Sequence, residues 1–308
     1  MKLIDTTHDE HNQTRLNYHD IKFDNDFIPY LNASYLKALH SLEIYRPPSK
    51  ALTIGTKVHD LLFALATTGT YHVILQKGRK GSKETQDQAQ EVADTYPEGS
   101  YIIATKADAE ILEHALKVGR QFLDTCSNAK LSPELVLFAS PEDIRRAKDI
   151  PPELLPLHEW IKASGCGVKA AIDLVVKPLG STIHRIYDYK RTAKTTIPDI
   201  LQQFHSLNYP FSMIFYRYVL ALHGVEVDPI ITLNALCPDL PAILPIQIDT
   251  SQPQIIDKYL TPMLHLPFME LKNNTESLYS GDPIQTIVTP NGYLAHINNQ
   301  PQQLEDLL

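Results

Sequence analysis

The chain has 308 residues, 43% of them hydrophobic and 21% charged, with a formal net charge of −8. That composition is globular, long enough for one large or two small domains, and excludes a disordered chain. The acidic balance excludes indiscriminate coating of nucleic acid but leaves room for a local basic groove.

Residues 1–29 are polar and without clear periodicity, which predicts an extended arm. Asn32 or Ser34 is placed to cap a short helix carrying Leu36 and Leu39 inward, ended at Arg46-Pro47-Pro48-Ser49. A second helix is predicted over residues 55–65, where Val58, Leu61, Leu62 and Leu65 form one apolar stripe at i, i+3, i+4 and i+7. His59 lies beside that stripe, and by itself reads as a structural or surface histidine. Residues 77–83 pack four cations and two glycines, a solvated loop or a flexible phosphate-contacting one. Residues 84–93 suit a polar helix. Thr105-Lys106-Ala107-Asp108 resembles a capping box and opens an amphipathic helix to about Cys126.

Residues 135–139 read as a short strand, residues 141–148 as a charged segment, and residues 158–163 as another strand. Residues 170–176 and 183–190 are β-rich runs separated by Lys177-Pro178-Leu179-Gly180-Ser181-Thr182, the pattern of a β-hairpin. Asp188 and Lys190 are two apart on its second strand and project to one face. Asp173, on the first strand, is able to converge with them. Two carboxylates and an ammonium at one sheet edge suit a divalent metal and a phosphate. Arg191 and Lys194 add a basic cluster beside them. Residues 198–207 suit a helix. Residues 210–224 suit a stronger one, with Pro210 in its first turn, Gly224 at its C-terminal cap, and apolar side chains almost all round. Residues 225–235 read as a strand and 255–260 as helical, and residues 246–308 as an irregular C-terminal segment suited to subunit contacts.

Cys126, Cys166 and Cys237 are far apart, which predicts reduced thiols and neither a disulfide framework nor a zinc site. No apolar run reaches the ~18 residues of a membrane span, and Met1 to Glu10 has no apolar core of a signal peptide. The expectation is a cytoplasmic protein without a membrane partner.

Several stretches, in order, resemble the exonuclease VIII (RecE-type) branch of the PD-(D/E)xK nuclease superfamily, relatives of phage lambda exonuclease. Tyr30-Leu31-Asn32-Ala33-Ser34-Tyr35-Leu36-Lys37 looks like that family's first motif. The stretch Lys50-Ala51-Leu52-Thr53-Ile54-Gly55-Thr56-Lys57-Val58-His59-Asp60-Leu61-Leu62 looks like its second, which bears a metal-associated histidine. Lys169-Ala170-Ala171-Ile172-Asp173 matches the strand with the first acidic ligand, and Asp188-Tyr189-Lys190 matches the D/E-x-K signature. A lone D-x-K is weak, whereas the ordered set across residues 30–220 is specific. Two departures stand out. The family's Q-x-x-x-Y helix has Ser212 in place of glutamine, ahead of Tyr216, and Ala171-Ile172 replaces the Arg-Pro often found before the aspartate.

The resemblance implies an α/β fold with a PD-(D/E)xK restriction-endonuclease-like core, a central mixed β-sheet flanked by helices, over residues 30–245. It implies a metal-dependent deoxyribonuclease in recombination or phage DNA processing, digesting linear double-stranded DNA 5′ to 3′. His59, Asp173, Asp188 and the Tyr189 carbonyl would bind Mg²⁺ (or Mn²⁺), with Asp173, Asp188 and Lys190 catalytic. Arg191, Lys194, Ser212 and Tyr216 would contact the DNA. Glu134 is where an additional family carboxylate would fall, against its plain reading as a loop carboxylate. A ring-shaped homo-oligomer and a single-strand annealing protein are the implied partners. The alternatives are an endonuclease or repair nuclease of the same superfamily, or a DNA-binding module with a decayed site. An iron–sulfur variant needs four cysteines, one more than the chain has.

Overall fold

The computed structural model describes residues 30–34, 36–37, 50–237, 240–265, 287–288 and 294–295. The expected N-terminal arm, the end of the first short helix and most of the C-terminal segment lie outside the described residues.

A mixed sheet forms the middle of the molecule. Its strands are β1 (Tyr30–Leu31), β4 (Ala129–Ala139), β5 (Gly167–Pro178), β6 (Arg185–Arg191), β7 (Ile230–Leu236) and β8 (Leu244–Asp249). The order is β1-β5-β6-β7-β8, with β4 antiparallel along nearly the whole of β5. β1 joins β5 in parallel at Gly167 and Val168, and β6 joins it antiparallel at Leu174, Val175 and Val176. Because β4 already covers one edge of β5 across both stretches, β1 and β6 must share the other edge. Between them, residues 169–173 of β5 have no strand partner on that edge among the described residues, and the sheet forks there. β6 leaves β5 after Tyr187 and continues beside β7 in parallel.

Helices cover both faces. On one lie α1 (Lys50–Thr68) and α3 (Lys106–Thr125). Their buried Val58, Leu61, Leu62, Leu112, Ala115 and Val118 meet Leu174, Val176, Tyr189 and Leu236 of the sheet. Thr105 caps α3 by accepting from the Asp108 N–H. Between α1 and α3 the chain makes a small parallel pair, β2 (His72–Leu75) and β3 (Tyr101–Ala104), joined through α2 (Lys83–Thr95). Ser82, next to last in the basic stretch, caps α2.

On the other face lie α4 (Pro141–Arg146), α5 (Leu155–Ser164), α6 (Ile197–Ser206) and α7 (Tyr209–Leu222). Phe211, Met213, Ile214, Phe215, Tyr218 and Val219 of α7 are fully buried against Ile172, Val175, Ile186, Ile231 and Leu233. This is the all-round apolar helix the sequence predicts. The sheet covers one side of it, and α6 and the chain around Tyr259 and Leu260 pack on others.

Three expectations are corrected. Residues 158–163 are not a strand but part of α5. Pro156 stands in its first turn and Gly165 ends it at φ 66°, and Leu157, Trp160 and Ile161 turn one apolar face inward. The short strand at 135–139 is the end of an 11-residue β4. The boundary expected at residue 245 falls inside β8. Helical turns from Pro253 to His265 then bring Tyr259, Leu260 and Met263 into the main core.

At Gly167, where β1 meets β5, an added Cβ would sit 2.6 Å from the Tyr30 ring and 3.0 Å from the Ala139 carbonyl oxygen. Neither neighbour is a flexible chain end. Gly167→Ala is expected to cost about 1–3 kcal/mol by overpacking, measured by urea unfolding, and unchanged stability would show that β1 gives way freely.

A carboxylate–lysine cluster at the fork of the sheet

Asp173 stands at the point where the β5–β6 ladder stops. Tyr189 has no backbone partner on β5, and its N–H donates instead to Asp173 Oδ2 at 2.7 Å. The carboxylate thus takes the place of a missing ladder bond and holds the splayed strand in position. Asp188, next along β6, is fully buried, and its Oδ2 lies 2.5 Å from Lys190 Nζ. That contact is a close ion pair, but neither Asp188 oxygen has a hydrogen bond of ordinary geometry. Lys190 Nζ also lies 3.8 Å from Asp173 Oδ2 and donates to the Tyr189 carbonyl at 3.2 Å. His59 reaches in from α1, with Nδ1 3.5 Å from Asp173 Oδ1.

Burial disfavours a charged Asp188, and despite Lys190 its carboxyl is raised to about 6, with Asp173 adding to the rise. Asp173 behaves oppositely. Burial pushes it up, but His59, Lys190 and the Tyr189 N–H together hold it well below the usual carboxylate range. Burial works against protonated His59 and Lys190, yet the neighbouring carboxylates hold both above their ordinary values. One carboxylate is thus fixed as an anion and its neighbour is poised to take a proton.

Two residues at the site were not legible as site residues. Tyr209, the first residue of α7, places its ring 5.3 Å from Lys190 Nζ and 5.3 Å from Lys37 Nζ, a distance at which cation–π attraction acts. Lys37 follows β1, so the fork brings it to the site. Burial and the charge of Lys190 lower its ammonium to about 8. A lysine three residues after Ser34 carries no local signal for this, because the proximity is made by β1 and α7.

The expected DNA-contacting residues are distributed. Ser212 and Tyr216 fall three and seven residues after Tyr209, on its side of α7, Ser212 buried and Tyr216 half-buried. Lys194 is exposed just beyond β6, in a loop tied down by Thr192, which donates to Gln203. Arg191 goes elsewhere, lining a cavity under α1 and α3.

Glu134 lines a narrow pocket with His59, Phe63, Asp173 and Tyr189. In the β4–β5 register it falls opposite Asp173, yet the two do not pair, and Glu134 has φ 42°. A left-handed backbone at a non-glycine residue stores strain, a feature that clusters at functional sites. Glu134→Gly is expected to be more stable than Glu134→Ala by about 1 kcal/mol in urea unfolding, and the reverse order would place the residue in ordinary strand conformation.

Among the described residues, no three His, Cys, Asp or Glu side chains are set to share one ion. The donor types nevertheless fit a hard divalent cation. Asp173 Oδ2, Asp188 Oδ2 and the Tyr189 carbonyl already converge on one positive charge, the Lys190 ammonium, which stands in for such an ion. No protein-family model matches this chain, and no curated protein matches it.

Proposed function

We propose that this chain is a metal-dependent deoxyribonuclease with a PD-(D/E)xK-type core, acting as a 5′ to 3′ exonuclease on linear double-stranded DNA. One observation carries the reading: Asp173, Asp188, Lys190 and the Tyr189 carbonyl converge at the fork of the sheet, backed by His59. The ordered resemblance over residues 30–220 supports it.

Asp173, Asp188 and the Tyr189 carbonyl are the groups that would hold Mg²⁺, with His59 beside them. An imidazole is better suited to Mn²⁺. A bound ion of this kind supplies Lewis-acid stabilisation of the charge on the phosphate. Lys190 orients the attacking water through its N–H donors and neutralises charge developing on the phosphate. Asp188, fully buried beside Lys190, would supply an anionic oxygen to that ion. His59 fixes the orientation of Asp173. Lys194 on its exposed loop, together with Tyr216, contacts the DNA backbone. A ring-shaped assembly and a single-strand annealing partner belong to the same proposal.

The test is digestion of linear duplex DNA bearing 5′-phosphate ends, with Mg²⁺ or with EDTA, beside a closed circular control. Mg²⁺-dependent loss of the linear DNA alone supports the exonuclease. Cleavage of the circle turns the reading to an endonuclease of the same superfamily. No cleavage of either by folded protein, with Mg²⁺ or Mn²⁺, leaves a DNA-binding module and removes the catalytic reading.

A further inference from the structure

Under α1 and α3, on the face of β6 away from Asp188 and Lys190, lies a cavity of about 250 Å³. Val58, Ile111, Ala115 and Leu236 make its walls apolar. Arg191 enters this apolar space, and among the described residues it has neither a hydrogen bond nor an ion pair. Its Nε–H is buried with no acceptor. An unmatched donor in a low-dielectric site is costly, and native structures leave few of them. Asn234 lies on the same strand face as Leu236, whose register partner is Arg191. Asn234 is also fully buried, with neither amide atom bonded.

The other polar groups at the cavity do not answer the guanidinium. Glu110 is exposed on α3 and lies outside ion-pair distance of Arg191. His114 Nε2 is engaged with the Leu240 carbonyl oxygen at 2.7 Å. What remains is a planar cationic fork facing apolar walls. That combination matches an oxyanion carried on an apolar body, because a guanidinium binds carboxylate or phosphate oxygens in pairs. The volume lies below the ~300 Å³ lower range of drug-sized pockets, which limits the occupant to a small molecule.

We propose that the cavity between α1, α3 and the paired ends of β6 and β7 is a second ligand site, binding a small organic oxyanion whose oxygens accept from Arg191. The site is separate from the carboxylate–lysine cluster but shares its elements: Val58 precedes His59 and Arg191 follows Lys190. An occupant would brace the two elements that carry the cluster.

The experiment titrates benzoate and phenyl phosphate into the full chain in EDTA, read by calorimetry and by amide NMR shifts. Saturable binding with Kd on the order of 1 mM is expected for at least one probe; which probe binds identifies a carboxylate or a phosphate ligand. Arg191→Gln is expected to weaken it about tenfold or more. Arg191→Lys keeps the charge but not the fork, and should fall between. Glu110→Gln, which removes a like charge at the rim, should tighten binding. Asp188→Asn should leave it unchanged. Absence of saturable binding by either probe overturns the proposal. So does binding that survives Arg191→Gln, or binding that appears only with Mg²⁺ and is lost in Asp188→Asn, which belongs to the cluster instead. The nuclease reading can fail in the digestion assay without touching this result.

Discussion

Asp188→Asn is expected to abolish Mg²⁺-dependent cleavage and to flatten the pH dependence of the metal-free protein's stability. The activity loss follows from the proposed role, since the substitution removes an anionic oxygen that would hold the ion. A fall of at least about 10³-fold is expected, in line with loss of a major electrostatic group at a reacting centre. The change in pH dependence follows from burial. Asp188 is fully buried, and its carboxyl is raised from 3.8 to about 6. A group whose folded value is raised contributes stability that is fully present below its unfolded value and lost as pH rises through its folded value. In EDTA, the wild-type protein should therefore lose stability from this group between about pH 4 and pH 6. Asparagine, which resembles the protonated acid, should not share the loss. The substitution also strips buried Lys190 of its nearest counter-charge, so the readout is the slope of the urea midpoint against pH, steeper in the wild-type protein between about pH 4 and pH 6, and not the absolute stability. Asp173 acts in the opposite sense. Its depressed value contributes stability above the unfolded value that is lost as pH falls through the folded one, and it does so in both proteins. The difference between them isolates Asp188. An Asp188→Asn protein that keeps the wild-type pH slope and is equally active would remove both the burial argument and the catalytic one.

Local signals in the sequence were enough for the hairpin and for the side chains that share its face. Asp188 and Lys190 are two apart on a strand, and the Pro/Gly/Ser connection marks the turn, so both are readable without tertiary information. α7 was readable for a similar reason, with proline at one end, glycine at the other and apolar residues between. The fork was not readable. It depends on β1 and β6 sharing one edge of β5 at different heights, a relation between residues 30, 170 and 187 that no local pattern encodes. The missed residues follow from it. Lys37 comes to the site because β1 is docked at Gly167, and Tyr209 because α7 starts beside Lys190. The misread α5 shows the same limit from the other side. A short run such as His158-Glu159-Trp160-Ile161 fits either a strand or one face of a helix, and the flanking Pro156 and Gly165 decide it. Arg191 fits the basic cluster expected after the D-x-K, but strand alternation turns it to the opposite face. The helix of the β2–α2–β3 unit is legible at 84–93, but its two strands are not, because each has only four residues.

Lys190→Met is expected to separate ion binding from chemistry. The ammonium lies among the oxygens that the proposal assigns to the cation: Asp188 Oδ2, Asp173 Oδ2 and the Tyr189 carbonyl. A lysine charge and a divalent ion in that space repel one another, so the ion enters only as Nζ swings away. Methionine keeps the unbranched apolar stem and removes the charge. The two carboxylates then lose their shared lysine counter-charge, which favours any cation that reaches them. Mn²⁺ affinity, measured by calorimetry, should be equal to or higher than that of wild type, whereas Asp188→Asn should bind at least about tenfold more weakly through loss of a charged ligand. Cleavage should nevertheless fall by about 10²–10³-fold, the range expected when a donor aimed at developing charge is removed. In EDTA the same variant should be less stable than wild type, because its buried carboxylates have lost their nearest cation. Weaker Mn²⁺ binding in Lys190→Met would mean that the lysine supports the ion rather than competing with it. Undiminished cleavage would take Lys190 out of the chemistry and leave it as a structural counter-charge at the fork.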